Sequence, residues 1–195
     1  MDKQIIKSLI GSNGIILEIG SADGSDTRGL MEIGKVYAFE PEPRNIKILK
    51  EIDGLELYEG AVSDEDGFTT FNRSRTNNPE DLRLSGSILK PKNHLINWDW
   101  IFFDEEVRVP TITLDTWWYL NKKPTIDFIW CDAQGAEARI IKGGQEALKH
   151  TRYLYREYCN DEHYEGQLNL VELSKLLPDF RVKTDFGTDV LFERI

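Results

Sequence analysis

Apolar positions along the chain recur in short blocks, each closed by an acid, a glycine or a proline. Ile15-Ile16-Leu17-Glu18-Ile19 is almost continuously apolar, as a strand buried on both faces must be. It runs into Gly20-Ser21-Ala22-Asp23-Gly24-Ser25-Asp26-Thr27, where two glycines four apart precede Ser25 and Asp26, either able to cap a helix. Val36-Tyr37-Ala38-Phe39 is a second strand-like block. It ends in Glu40-Pro41-Glu42-Pro43, whose prolines force an extended corner and then open a helix burying Ile46, Leu49 and Ile52. Leu55 to Val62 predicts a third strand, Phe68 to Phe71 alternates like an extra one, and Arg108 to Leu114 is another strand-like piece. Asp115 is placed to N-cap the helix that starts at Thr116. Ile126 to Cys131 and Arg152 to Cys159 predict the fourth and fifth main strands. One helix between them carries Gly143-Gly144 in its interior, which predicts close packing or a kink. An amphipathic helix over Leu168 to Leu177 and two strands joined through Gly187 close the chain. At the other end, Ile5, Ile6, Leu9 and Ile10 stripe a short helix stopped by Gly11, a lead-in too brief for an N-terminal lid domain.

Alternation of this kind predicts an α/β fold with a mostly parallel sheet and an antiparallel strand inserted at its edge, in one domain over residues 1–195. Residues 72–107 break the rhythm. They begin polar (Arg73, Arg75, Asn77, Asn78, Pro79), pass through Ser85-Gly86-Ser87, and end in Trp98, Trp100, Phe102 and Phe103. Such an insertion is expected on the substrate side; its aromatics either line a site, since aromatic faces stack on sugar C–H faces, or plug the insertion onto the core. His94 within it is expected at the surface.

The chemistry concentrates at strand tips, because ligands of open α/β sheets sit beyond the carboxyl ends of the strands. Glu40 lies twenty positions after Gly20, an offset at which an acid accepts hydrogen bonds from a ribose diol. The spacing Gly20-x-x-x-Gly24 lacks the third glycine of a dinucleotide loop. Glu18, Asp23 and Asp26 around it repel a pyrophosphate but suit a ligand bearing an ammonium and a sulfonium, which points to S-adenosylmethionine. Small Gly60 and Ala61 leave room for a flat adenine, and Asp64 either bonds its exocyclic amine or simply leads a turn. Asp132, at the tip of the central strand, can hold the ligand's ammonium, accept a proton, bind a metal or cap the helix that follows. Glu137 is a weaker metal candidate, since an acid in a first helical turn is favoured by the dipole in any case. Glu157 and the loop Asn160-Asp161-Glu162-His163 should overhang the same crevice, with His163 the best-placed general base near neutral pH or else a structural histidine.

Composition narrows the partners. The chain has 195 residues, 40% hydrophobic, with a formal charge of −10. That balance, with no Lys/Arg-rich tract, argues against a nucleic-acid substrate, whose phosphates demand neutralisation. Cys131 and Cys159 follow no metal or redox spacing and are expected as free buried thiols in a reducing compartment. The polar start and the lack of a long apolar run predict a soluble, cytoplasmic protein without a signal peptide or membrane span.

With these residues assembled, the chain from Ile15 to its C-terminus resembles the FkbM family of S-adenosylmethionine-dependent methyltransferases. The pieces that carry the resemblance are Glu18 to Gly24, Phe39-Glu40-Pro41, Ala61-Val62-Ser63, Thr113-Leu114-Asp115 and Asp127 to Glu137. Where the family's fourth-strand piece has a Lys and a second acid or hydrophobe, this chain has Trp130 and Ala133-Gln134, so any role of that Lys is absent. The resemblance implies a Rossmann-like class I methyltransferase fold: seven strands, mostly parallel, in order 3-2-1-4-5-7-6, with helices on both faces. It also implies O-methylation, in many members of a sugar or polyketide hydroxyl. By position, Gly20, Ser21, Ala22, Asp23 and Gly24 would hold the methionine part, with Glu18, Thr27 and Asp132 beside them. Glu40 and Pro41 would meet the ribose, and Ala61, Val62 and Ser63 the adenine. Asp132, His163 and Glu157 are the candidate catalytic groups, and Asp132, Glu137 and Asp161 the candidate ligands of a divalent cation. The expected acceptor is a sugar hydroxyl of a small molecule or glycan. Rival expectations are a non-sugar acceptor such as an amine or an RNA ribose, a non-catalytic nucleotide-binding or interaction module, and a nicotinamide oxidoreductase.

Overall fold

The computed structural model describes residues 1–77 and 84–195. Asn78 and Pro79, expected in the polar start of the insertion, lie outside the described residues. Five strands build most of one sheet: β1 (Gly14–Ile19), β2 (Gly34–Glu40), β3 (Glu56–Glu59), β7 (Ile126–Cys131) and β8 (Thr151–Glu157). The closing pair β9 (Phe180–Asp185) and β10 (Asp189–Arg194) completes the spatial order β3-β2-β1-β7-β8-β10-β9. All pairings are parallel except those of β10, which runs antiparallel to both its neighbours. Counted along the sheet's own strands, this is the expected order 3-2-1-4-5-7-6.

Two apolar layers flank the sheet because its central strands are buried on both faces. Ile16 and Phe128 face a layer with Ile6 and Ile10 of α1 (Lys3–Ile10) and Leu30 of α2 (Thr27–Met31). Leu17, Ile129 and Cys131 face the other, with Trp117 of α5 (Leu114–Leu120), Ile140 of α6 (Glu137–Lys142), Leu148 of α7 (Gln145–Leu148) and Leu173 of α8 (Leu170–Ser174).

The structure redraws three local expectations. The third strand is not continuous: it breaks at Gly60, and Ala61–Ser63 forms β4 in a second sheet whose order is β4, then Ile101–Thr113 (β6), then Gly67–Thr76 (β5). Gly60 is required at the break, because a Cβ there would stand 2.6 Å from the Pro110 carbonyl oxygen. Secondly, the helix after β7 is two helices. A Cβ on Gly143 would meet the Ser63 carbonyl oxygen at 2.2 Å, so the backbones touch and the chain kinks there. Thirdly, Asp115 does not cap its own helix. Thr113 does, accepting from the Thr116 amide, while Asp115 accepts from the Glu146 and Ala147 amides of α7 at 2.9 and 2.8 Å.

The two ends of the insertion are strands. β5 (Gly67–Thr76) and β6 (Ile101–Thr113) pair antiparallel as a long arm; α3 (Pro43–Leu49) precedes it and the short α4 (His94–Asn97) lies between its two strands in sequence. Glu42, almost fully buried, ties the arm to the main sheet. It accepts from Arg44 and from Arg73 of β5, and Arg44 also donates to the Ser74 carbonyl at 2.7 Å. Burial costs a carboxylate, and these two guanidiniums outweigh that cost and hold Glu42 below its usual pKa.

Candidate active site

At the carboxyl ends of β1, β2 and β7 opens a cleft of about 930 Å³. Its floor is the turn after β1. Gly20 sits at φ +87°, and a Cβ there would lie 1.9 Å from the Asp132 carbonyl oxygen, so the two strand tips approach as only glycine permits. Ala22 is left-handed as well, at φ +49°, which turns its amide onto Glu40 Oε2 at 2.8 Å. The other Glu40 oxygen accepts from the Glu42 amide at 2.8 Å. Glu40 thus holds the turn in shape while lining the cleft. Burial pushes its pKa up to about 7. Glu18 is equally buried, accepts from the Thr27 hydroxyl at 2.5 Å, and is also raised to about 7 by burial.

Of the residues assigned to a cofactor from sequence, Glu18, Gly20, Ser21, Ala22, Glu40, Pro41, Ala61, Val62 and Asp132 line this cleft. Asp23, Gly24, Thr27 and Ser63 do not. Asp23 accepts from the Ser25 amide, and Gly24 turns the backbone against Leu49 and Ile52. Thr27 reaches the cleft only through Glu18, and Ser63 donates to Asp64 at 3.0 Å. Asp64 is likewise off the cleft wall. Phe39, Asn45, Phe71, Leu84, Ser87 and Ile88 do line it without having been singled out. Four of these six belong to the insertion arm, whose register onto the cleft no local sequence pattern encodes.

Asp132 stands on the wall between this cleft and a second cavity of about 1160 Å³. The wall is Leu84, Asp132 and Gln134, which line both. Gln134 sits at φ +50°, its amide donates to Asp132 Oδ1 at 2.7 Å, and its side-chain oxygen lies 3.0 Å from the Tyr164 hydroxyl. Left-handed Ala22 and Gln134 place strained backbone on both sides of the cleft. Desolvation, then the neighbouring charges of Glu157 and Glu137, raise Asp132 to about 7.

The second cavity is lined by His94, Trp98, Glu137, Arg156, Glu157, Cys159, His163 and Tyr164, among others. His163 and Glu157 therefore do share it with Asp132. His94 corrects its expectation: it is 4% exposed, packed against Trp98, Phe103 and Tyr164 with centroids 4.7, 5.1 and 5.4 Å away. Its Nδ1 has no hydrogen-bond partner among the described residues. The signal available in sequence was His94-x-x-x-Trp98, a helical spacing that puts both rings on one face. Arg156, fully buried at the tip of β8, pairs with Glu137 at 3.7 Å, and its Nη1 has no partner among the described residues.

The expected cation set is not assembled. Glu137 is occupied by Arg156 and accepts from the Ala133 amide at 3.2 Å. Asp161 instead groups with Cys159 and His163. Both cysteines are free, as expected, but Cys159 is only half-buried.

A parallel sheet in this strand order, with a glycine turn and an acid at the tips of its first two strands, defines a Rossmann-like class I methyltransferase. The solved structures it resembles share the fold. An rRNA methylase from Streptococcus thermophilus superposes with TM-score 0.51 at 10% identity, covering 99% of this chain and 93% of that one. The N-terminal domain of EvdMO1, solved with SAH bound, gives TM-score 0.53 at 12% identity, covering 98% and 79%. The methyltransferase FkbM domain model matches residues 18–188, and the chain belongs to that family of S-adenosylmethionine-dependent methyltransferases. It is also 40% identical over 196 residues to 2-O-methyltransferase NoeI of Sinorhizobium fredii, covering 96% of this chain and 81% of that protein. Among the described residues, no helix is long and apolar enough to cross a membrane.

Proposed function

We propose that the chain methylates a hydroxyl of a sugar, free or within a glycan, with the cofactor in the first cavity and the acceptor in the second. One observation carries this reading: Asp132 and Gln134 form a wall common to both cavities. The first cavity fits the cofactor in chemistry. Glu18, Glu40 and Asp132 are carboxylates raised by burial, hence in need of hydroxyl donors or a cation, and among the described residues no basic group that would serve a pyrophosphate lines the cleft. Adenosylmethionine, when bound, supplies an electrophilic methyl on its sulfonium. Glu40 would accept from the ribose, Ala61 and Val62 would face the adenine, and Asp132 would receive the amino group or the acceptor's proton.

The acceptor side suits a sugar. Trp98 and the half-buried His163 imidazole offer ring faces to C–H surfaces, while Glu157 offers hydrogen bonds to hydroxyls. The chain's part in the reaction is to hold the hydroxyl in line and take its proton. Asp132 is the group we assign to that proton. It faces both cavities, and a pKa near 7 keeps it basic enough to compete for a proton near neutrality. Net charge −10 disfavours RNA as the acceptor.

Two measurements test the reading. Calorimetry should show S-adenosylhomocysteine binding at micromolar strength and none for NAD. A panel of methyl glycosides should then include acceptors methylated in the presence of adenosylmethionine. The name of the NoeI relative makes a sugar 2-hydroxyl the first to try, with the 2-deoxy sugar as its inert control. Turnover of RNA or of amines, with no sugar accepted, would overturn the acceptor assignment.

A further inference from the structure

The loop that follows β8 brings three different donor types together: the Cys159 thiol, the Asp161 carboxylate and the His163 imidazole, with their ligand atoms within 4.8 Å of one another. Cys159 Sγ and His163 Nε2 are 3.6 Å apart. Two ligands at about 2.3 and 2.0 Å from a tetrahedral ion stand at roughly that separation. We propose that these three residues bind a borderline-soft divalent ion, zinc before others, at the wall of the acceptor cavity.

Three observations support a built site over a chance cluster. The first is the donor chemistry: a thiolate and an imidazole do not select magnesium or calcium, which take oxygen donors, but one sulfur, one nitrogen and one oxygen suit zinc. Secondly, the loop is held before any ion arrives. The His163 amide bonds back to the Asp161 carbonyl at 2.9 Å, and its carbonyl accepts from the Lys92 and His94 amides at 2.7 and 3.2 Å. Gln167 Oε1 takes the amides of His163 and Tyr164. A fixed loop loses little freedom on closing around an ion. Thirdly, the donors are free of stronger claims. No hydrogen bond or ion pair to another described residue engages the Asp161 carboxylate. Nε2 of His163 meets only the Asn97 side-chain amide, at 3.2 Å, besides Cys159.

Three protein ligands leave a fourth position open, the pattern of catalytic rather than structural zinc. Cys159 and His163 both line the acceptor cavity. If that cavity holds the sugar, a role that rests on the function proposed above, the open position lies where an acceptor hydroxyl or a water can coordinate. The ion would lower the pKa of that hydroxyl. The geometry also gives His163 a different role from the general base expected from sequence: its Nε2 becomes a ligand.

The test uses the full chain, stripped with a chelator and titrated with Co²⁺ as a visible stand-in for zinc, with S-adenosylhomocysteine binding measured on the same samples. One equivalent of Co²⁺ should give a thiolate charge-transfer band, displaced by Zn²⁺. Cys159→Ser should abolish the band and His163→Ala weaken Co²⁺ binding at least tenfold. Cys131→Ser, which alters the other, buried thiol, should keep it. Homocysteine-nucleoside binding that persists in Cys159→Ser certifies its fold. A chain that binds the nucleoside yet gives no cobalt–thiolate band, or a band that survives Cys159→Ser, overturns the metal site and leaves the methyltransferase reading standing. Failure of nucleoside binding alone strikes the function and not the ion.

Discussion

Three buried carboxylates decide how this protein responds to pH. Glu18, Glu40 and Asp132 are all raised to about 7, chiefly by desolvation, from ordinary values of 4.5, 4.5 and 3.8. Between about pH 4 and 7 the folded state therefore holds protons that the unfolded state has released. Stability must fall as pH rises through that window and level off above it. Glu42 and Asp66, with lowered values, act below it, and His94, lowered by burial, opposes the trend within it as one group against three. Urea unfolding at pH 5 and pH 8 should give a lower free energy at pH 8, and saturating S-adenosylhomocysteine should narrow the gap by giving the carboxylates partners. A ligand-free protein more stable at pH 8 than at pH 5 would contradict the environment described. Glu40→Gln is a sharper test. Its carboxylate spans the Ala22 and Glu42 amides, so an amide in its place puts an N–H against a backbone N–H. Hydrogen bonds to a charged group contribute about 1.5–3 kcal/mol, which corresponds to a loss of homocysteine-nucleoside affinity of roughly tenfold to a hundredfold. The residue types of this cleft were legible in the sequence, since Glu18, Gly20 and Glu40 occupy strand tips that the apolar blocks mark out. The buried state of His94 and the Glu42–Arg44–Arg73 knot were not, because each depends on contacts across more than twenty residues of chain.

Elements here are shaped by places where two backbones touch. Gly20 and Gly143 are the clearest, with would-be Cβ atoms 1.9 and 2.2 Å from carbonyl oxygens of Asp132 and Ser63. Neither oxygen belongs to a flexible side chain, so neither clash can be relieved by a rotamer change. Gly20→Ala adds a left-handed φ, itself a strain on the order of 1 kcal/mol or more. Scanning fluorimetry should show Gly20→Ala lowering Tm by roughly 5 °C or more, given about 2–4 °C per kcal/mol at this chain length. Gly187→Ala makes a useful comparison, since its φ is +92° but nothing lies within 4 Å; a smaller drop there separates clash from strain. Asp115→Ala should cost about 1 kcal/mol of unfolding free energy through α7, whose amides it caps from a distance. Periodicity located the strands and helices because burial on one or two faces writes itself into local spacing. It could not show that the third strand breaks at Gly60 or that Asp115 serves another helix, because those outcomes are settled by packing between elements.

At the scale of the whole molecule, the insertion arm is a shared wall. Phe71, Leu84, Ser87 and Ile88 face the first cleft, while Leu84, Ser85, His94 and Trp98 face the second cavity. Its direct bond to the backbone of the loop after β7 is made by Ser87. The Ser87 hydroxyl donates to the Gln134 carbonyl at 2.8 Å and accepts from the Leu89 amide at 3.0 Å, so the arm is bonded to the strained loop that carries Asp132. Ser87 is buried, and removing its hydroxyl leaves both backbone groups without a partner, a cost of about 1–3 kcal/mol each when unrelieved by water. That cost falls on the position of Gln134, which touches both cavities. Ser87→Ala should therefore weaken homocysteine-nucleoside binding and raise acceptor KM together, each severalfold. Trp98→Ala, on the acceptor side alone, should raise KM with nucleoside affinity unchanged. The contrast is the informative quantity, because a general loss of stability would move both variants in the same way. If Ser87→Ala leaves both constants at their starting values, the arm is a passive cover, and the wall around Gln134 is held in place by the main sheet alone.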